Sequence, residues 1–354
     1  MLSRIAESLY WIGRYVERAE DTARITDVNF HHTLEMGTSD TAQVRRGHHW
    51  DALVTIVGDK KRFYNIYEEA NDETVPYFLT FSPQNPLSIV SCVALARENA
   101  RTMRHQLGSE MWEVLNRFYL DLQRHAQSGE AQRGDENAHN FYRWVIEFSH
   151  LFQGITDSTM PRDEGWYFLQ LGKFLERAEK TARALDAKYH LLIADSSPEQ
   201  AAQLASADAV PRDWHQWLAL LRSLSAYEAY NKIYRSAVRP RATIEMLTLS
   251  PIFPRSIRFA IDEVDSALLF LATHMAIQPD DDGYSLIGPG RPSEAQRAVG
   301  RLKGVLAYQR VEEVFETGMH QYLLDLQRQC YRIGELIEAQ YFAGRILRAE
   351  EVVV

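Results

Sequence analysis

The stretch Gly13–His31, GRYVERAEDTARITDVNFH, returns without a gap as Gly172–His190, GKFLERAEKTARALDAKYH, with ten of nineteen positions identical. A second block follows in the same order: Leu79–Ile89, LTFSPQNPLSI, matches Leu247–Ile257, LTLSPIFPRSI, at seven of eleven positions, both prolines included. The offsets are 159 and 168 residues, so the second copy carries nine more residues between its blocks. Two blocks repeated in one order predict a duplicated unit, roughly 1–160 and 161–354. The expected architecture is an all-α, internally duplicated multi-helix bundle whose halves share one core about a pseudo-twofold axis.

Outward from these blocks the periodicity is helical nearly everywhere. Apolar residues recur three and four apart from Leu2 to Phe30, Ile89 to Leu107, Met111 to Leu122, Phe141 to Thr156, Trp166 to Leu192 and Val305 to Phe342. Asn85-Pro86 reads as an N-cap with proline at the first helical position, and Ser250-Pro251 and Phe253-Pro254 offer similar punctuation. Polar connections are expected near Gly37–His49, Ser128–Asn140, Asp195–Asp213 and Gln278–Glu294.

On a helical wheel Gly13, Glu17, Glu20, Arg24, Asp27 and His31 fall in one stripe about 80° wide. The second copy keeps all six as Gly172, Glu176, Glu179, Arg183, Asp186 and His190. Apolar residues flank the stripe, and Trp11, Tyr15, Thr22 and Ile25 surround Arg18 on the opposite side. Such a helix is covered on most sides, so its charges must be paired and hydrogen-bonded. Three readings stand. In a structural polar core, Glu20–Arg24 and Glu179–Arg183 are i,i+4 pairs, while Glu17 and Glu176 take arginines from the other half. In a ligand site, the carboxylates and the arginines, Arg18 and Arg177 among them, converge on a small charged ligand or peptide. In a metal-binding bundle, Glu17, Glu20, Asp27 and His31 form the ligand row, with Asp27–His31 and the matching Asp186–His190 the pairs that best fit a metal. That last reading lacks a Glu-x-x-His pair and puts an arginine in the middle of the ligand row.

A second charged cluster, LARENARTMRHQL (Leu95–Leu107), places Arg97, Glu98, Asn99, Arg101, Arg104 and His105 on one helix. Forked carboxylate or phosphate recognition is possible there. The preferred expectation is that these arginines partner Glu17 and Glu20.

Other chemistry finds little support. GxSxG, GxxxxGK[ST], HExxH and a strand-linked GxGxxG do not occur. Gly288–Pro292, GPGRP, has two prolines where a phosphate cradle needs amide donors. Asp280-Asp281-Asp282-Gly283 lacks the rest of a calcium loop and reads as a solvated turn, and the doublets His31-His32 and His48-His49 lack a spaced partner. Cys92 and Cys330 stand far apart without CxxC spacing, which fits a reducing cytoplasm. With 45% hydrophobic and 25% charged residues the chain is globular rather than disordered. A formal charge of −9 argues against a nucleic-acid partner. Charged residues interrupt the N-terminus, and the apolar runs are too short for a bilayer, so neither a leader nor a membrane segment is expected. No cofactor is expected.

ERAExTAR twice, LYW upstream of the first copy, ARENAR, SEMWEVLNR and FPRSIRF together resemble the bacterial alpha-E family, along essentially the whole chain. That family is an all-helical group of unknown function named for its Glu-Arg motif. The motif falls on Glu17-Arg18 and, through the repeat, on Glu176-Arg177; the arginine-rich helix falls on Arg97, Glu98, Asn99 and Arg101. Members are encoded beside, or fused to, ATP-grasp amidoligase-like proteins and transglutaminase-like peptidases. The resemblance therefore implies an accessory or binding role in making or modifying a peptide-like product. This sequence contains no ATP-grasp region, so the amidoligase-like protein, and the peptidase with it, would be separate partners. The alternative is an enzyme that uses paired carboxylates as general acid and base, with arginines holding an anionic substrate.

Overall fold

The computed structural model describes residues 3–35, 40–57, 59–128, 135–194, 214–275 and 292–342. Every regular element among the described residues is a helix. The first half of the chain contributes α1 (Ser3–Glu35), α2 (Asp40–Val57), α3 (Lys60–Ile66), α4 (Thr74–Thr80), α5 (Ile89–Thr102), α6 (Ser109–Ser128) and α7 (Asp135–Thr159). The second contributes α8 (Glu164–Ala194), α9 (Trp214–Ser223), α10 (Tyr227–Tyr234), α11 (Pro240–Leu249), α12 (Ile257–Met275), α13 (Glu294–Tyr308), α14 (Val311–Thr317) and α15 (Met319–Tyr341).

The two repeated helices, α1 and α8, pack along one another at the centre. Glycine permits this. A Cβ on Gly172 would lie 1.9 Å from the Tyr10 carbonyl oxygen, and one on Gly13 would lie 2.2 Å from that of Leu169. The two backbones therefore touch where each polar stripe begins. Around this pair α5 and α7 pack on α1, and α12 and α15 pack on α8. Helix α2 crosses to α8, and α9 crosses to α1. The buried apolar side chains form one cluster running from Ala6 to Phe342. No described helix is long and apolar enough to cross a membrane.

Several element boundaries differ from expectation. The polar segment 37–49 is helical from Asp40, because the apolar residues Trp50, Leu53, Val54 and Val57 draw its continuation into the core. The segment 128–140 turns helical at Asp135. The run 305–342 is broken twice: Gln309 and Arg310 are extended, and Gly318 sits at φ 88°, in the region that favours glycine. Asn85 is not the cap of α5; it is buried, donates to the Phe78 carbonyl at 3.0 Å and accepts from the Leu87 amide. Ser88 is the cap, its hydroxyl accepting from the Ser91 amide at 3.2 Å. Ser250 likewise ends α11, and α12 starts only at Ile257. The tract 280–283, residues 288–291 and the side chains of His31 and His190 lie outside the described residues.

Candidate functional site: the Glu-Arg ladder between the long helices

The glycine contact brings the two stripes face to face, and each glutamate meets an arginine of the other copy. Arg18 donates to Glu176 through Nε at 2.6 Å and Nη2 at 2.7 Å. Arg177 donates to Glu17 through the same two atoms at 2.6 Å and 2.7 Å. Shifting every residue by the repeat offset turns one fork into the other. Both glutamates are wholly buried (0% exposed). Two parallel charge-assisted bonds fix the geometry as well as the charge, and a lysine could not reproduce them.

Around these forks the copies diverge. Near Glu176, Arg14 adds Nε at 2.8 Å and extends Nη2 to Glu179 at 2.9 Å. Lys180 lies one helical turn on, its Nζ 3.9 Å from Glu176. Near Glu17 the extra cation is Arg255, from the second proline block. Its Nη1 reaches Asp21 at 2.6 Å and Glu17 at 3.4 Å, and its Nη2 binds Glu20. Glu20 also accepts from Arg24 at 2.8 Å and from the Ser149 hydroxyl at 2.6 Å. In the sequence register Asp21 stands where the other copy has Lys180, and Arg255 stands where it has Leu87. An acid and its arginine in one half thus replace a lysine and a leucine in the other.

The electrostatics follow from burial and neighbours. Desolvation alone would raise the Glu176 carboxyl, but Arg18 and Arg14 hold it far below the usual carboxylate range. Glu20 is likewise buried, yet Arg255 and Arg24 keep it well below. Asp21 goes the other way. Burial, with Glu17 and Glu20 adding to it, outweighs Arg255 and pushes its carboxyl up to about 7. Burial also lowers the Lys180 ammonium.

A group whose folded pKa is raised binds a proton on folding between its unfolded and folded values, so the stability Asp21 lends at low pH is lost as pH rises to about 7 and stays lost above it. Asp21→Asn keeps an oxygen for Arg255 and removes this titration. Its thermal midpoint relative to wild type is expected to be higher at pH 8 than at pH 5. A pH-independent difference between the two proteins would contradict the assignment.

Beyond the ladder Asp27 meets the Nδ1 of His139, at 2.9 Å, and Asp186 meets the Nδ1 of His320, at 2.6 Å. The partners come from α7 and α15. Among the described residues no group of three or more His, Cys, Asp or Glu side chains gathers as a metal centre. A cavity of about 360 Å³ opens beside Gly13–His31, with Arg24, Asp27, Arg143, Glu147, His150 and Arg222 in its lining and Arg143 paired to Glu147 at 3.3 Å. Arg24 is held at its wall by Ser225 Oγ at 2.5 Å and His150 Nε2 at 2.9 Å. Another cavity, of about 630 Å³, lies beside Arg183, Asp186 and His320 in the second copy.

The arginine-rich helix does not partner Glu17 or Glu20. Helix α5 turns Cys92, Val93, Ala96 and Ala100 inward, which leaves its arginines on the outer side. Arg97 donates to Asn116 at 2.8 Å and to Glu98 at 2.9 Å, and its guanidinium lies 4.7 Å from the Tyr119 ring centre. Arg101 donates to Glu98 at 2.9 Å. Asn99 sits between them and accepts from Thr102 through its carbonyl. Sequence reasoning missed Arg255, Arg14, Ser149, His139 and His320 as stripe partners. For Arg255 a signal existed: the two departures from the repeat, Asp21 for Lys180 and Arg255 for Leu87, are complementary in charge.

The ladder can lock two helices together, and neither Glu17 nor Glu176 could take a ligand without breaking its buried fork. Chemistry toward another molecule is available at its ends, where Arg24 and Arg183 reach the cavities.

Residues 1–342 match the family Alpha-E, described as a predicted alpha-helical domain with a conserved ER motif. Uncharacterized proteins of Mycobacterium bovis and Mycobacterium tuberculosis are 26% identical over 187 residues, 49% of this chain. The match spans only 21% of the length of each of those relatives. No solved structure matches the chain. With the family match covering nearly its whole length and the Glu-Arg elements at the centre of its fold, the chain belongs to the Alpha-E family.

Proposed function

We propose that this protein is a helical accessory and binding component of an ATP-grasp amidoligase-type system that makes or modifies a peptide-like product in the cytoplasm. Its partners in this reading are a separate amidoligase-like protein and a transglutaminase-like peptidase. Two related units, 1–160 and 161–354, share one core, and the Glu-Arg helices are the framework that holds them together. The observation that supports the framework part of the reading is the ladder itself: Glu17, Glu20, Asp21 and Glu176 are all buried and all engaged by arginine, while the partners rest on the family resemblance. Such a ladder suits a rigid scaffold better than acid–base turnover, which needs a carboxylate in reach of substrate. The charged cavity beside Arg24 then offers the docking chemistry for carboxylate groups of a partner or product.

Co-purification with an ATP-grasp amidoligase-like protein co-expressed with this chain tests this directly. Arg143 and Arg222 line the cavity outside the ladder, so Arg143→Glu with Arg222→Glu is expected to reduce ligase recovery about tenfold, the scale of one lost charge-assisted contact. Thermal unfolding should stay within a degree or two of wild type, as for other exposed substitutions. Absence of any complex, together with unchanged ligase turnover, would sink the proposal.

A further inference from the structure

A third cavity, of about 540 Å³, opens between the α3–α4 connection, the end of α1 and the start of α7. Five of its lining residues are aromatic, Phe30, Tyr67, Tyr77, Phe81 and Tyr142, and two are acidic, Asp72 and Glu73. Among the described residues no lysine, arginine or histidine lines it. Aromatic faces are electron-rich, and a cavity lined by aromatic residues and carboxylates suits a cation that carries apolar surface. The volume is that of a small-molecule pocket. Asp72 is already engaged by Trp50 Nε1 at 2.6 Å and by Arg46 at 3.3 Å. Glu73 stands exposed at the start of α4 and is the carboxylate best placed to meet an incoming charge.

The second half of the chain supplies an internal comparison. In the register of the proline blocks, Glu73 corresponds to Arg241, Tyr77 to Glu245 and Phe81 to Leu249. There the matching helix, α11, is covered by α14, and Glu312 of α14 pairs with Arg241. The described residues of the first half hold no helix between α6 and α7 that corresponds to α14. The same face is therefore covered by an acidic helix where an arginine stands, and among the described residues meets no such helix where a glutamate stands.

We propose that the cavity bounded by Tyr67, Tyr77, Phe81 and Glu73 binds an alkylammonium group, the charged end of a lysyl side chain or of a small free amine. This site stands apart from the partner reading above and does not depend on it.

Calorimetric titration of the full chain with n-butylammonium, with Nα-acetyl-lysine N-methylamide and with the neutral Nα-acetyl-norleucine N-methylamide tests it. Saturable binding of an ammonium compound is expected, at least about tenfold tighter than the norleucine compound. Preference for the lysyl compound over butylammonium identifies a peptide source, and the reverse identifies a free amine. Glu73→Arg, which installs the charge found at position 241, and Tyr77→Leu should each weaken binding about tenfold. The thermal midpoint checks that each variant folds. Equal binding of the norleucine compound, no saturable binding of either amine at millimolar concentration, or indifference to Glu73→Arg would each overturn the proposal.

Discussion

Arg255→Leu is expected to destabilise the fold by about 3–5 kcal/mol, because it strands carboxylates that have no access to water. Asp21 loses its 2.6 Å partner, Glu20 loses one of two arginines, and Glu17 loses the weaker of its two. All three acids are 2% exposed or less. At the Glu176 fork the added cations are Arg14 and Lys180, and no arginine stands in the register of Arg255. There Leu87 occupies the register of Arg255, and Lys180 occupies that of Asp21. The double variant Arg255→Leu with Asp21→Lys is therefore expected to recover at least half of the lost stability, although each change alone is harmful. Denaturant midpoints of the wild type, both single variants and the double close the cycle. Simple addition of the two losses would mean that the copies do not share one electrostatic design.

This pair also marks where sequence reading stops. The all-helical class was legible because apolar residues recur three and four apart through the long helices. The forks were legible in part: the repeat showed that Glu17 and Glu176 occupy the same place on two helices, and burial demanded arginines for them. Which arginines was a matter of packing. Arg97 and Arg101 look apt in sequence, yet the inward set Cys92, Val93, Ala96 and Ala100 turns them away from α1. Arg255 is 238 residues from Glu17 and reaches it only because the proline block leading into α12 lies against the ladder. His139 and His320 meet Asp27 and Asp186 from helices whose sequences are too divergent for the repeat to announce them. Boundaries failed for local reasons. Gly318 interrupts a run of continuous helical periodicity, and the polar start of α2 hides an apolar second half.

Gly172→Ala should be among the most damaging single changes in the molecule, costing more than about 3 kcal/mol, the upper end of ordinary overpacking. The added methyl would meet the Tyr10 carbonyl oxygen at 1.9 Å and the Arg14 amide nitrogen at 3.1 Å. These are helix backbone atoms, so no rotamer change can relieve the clash; α1 and α8 must move apart. Gly13→Ala meets Leu169 and Lys173 in the same way, at 2.2 Å and 3.0 Å. Separation also acts on the ladder. The forks from Arg18 and Arg177 are bonds of 2.6–2.7 Å between the same two helices, and hydrogen bonds weaken quickly when stretched. One methyl thus attacks both the steric and the electrostatic contacts of the central pair, which explains why the stripe starts with glycine in both copies. Gly300 is the control. It lies within α13, and a Cβ there meets nothing within 4 Å. Gly300→Ala is expected to stabilise by about 0.4–1 kcal/mol through helix propensity and the unfolded chain. Urea unfolding of the three variants distinguishes the cases. If Gly172→Ala proves as mild as Gly300→Ala, the backbones are not in contact, and the ladder must be held by the outer helices instead.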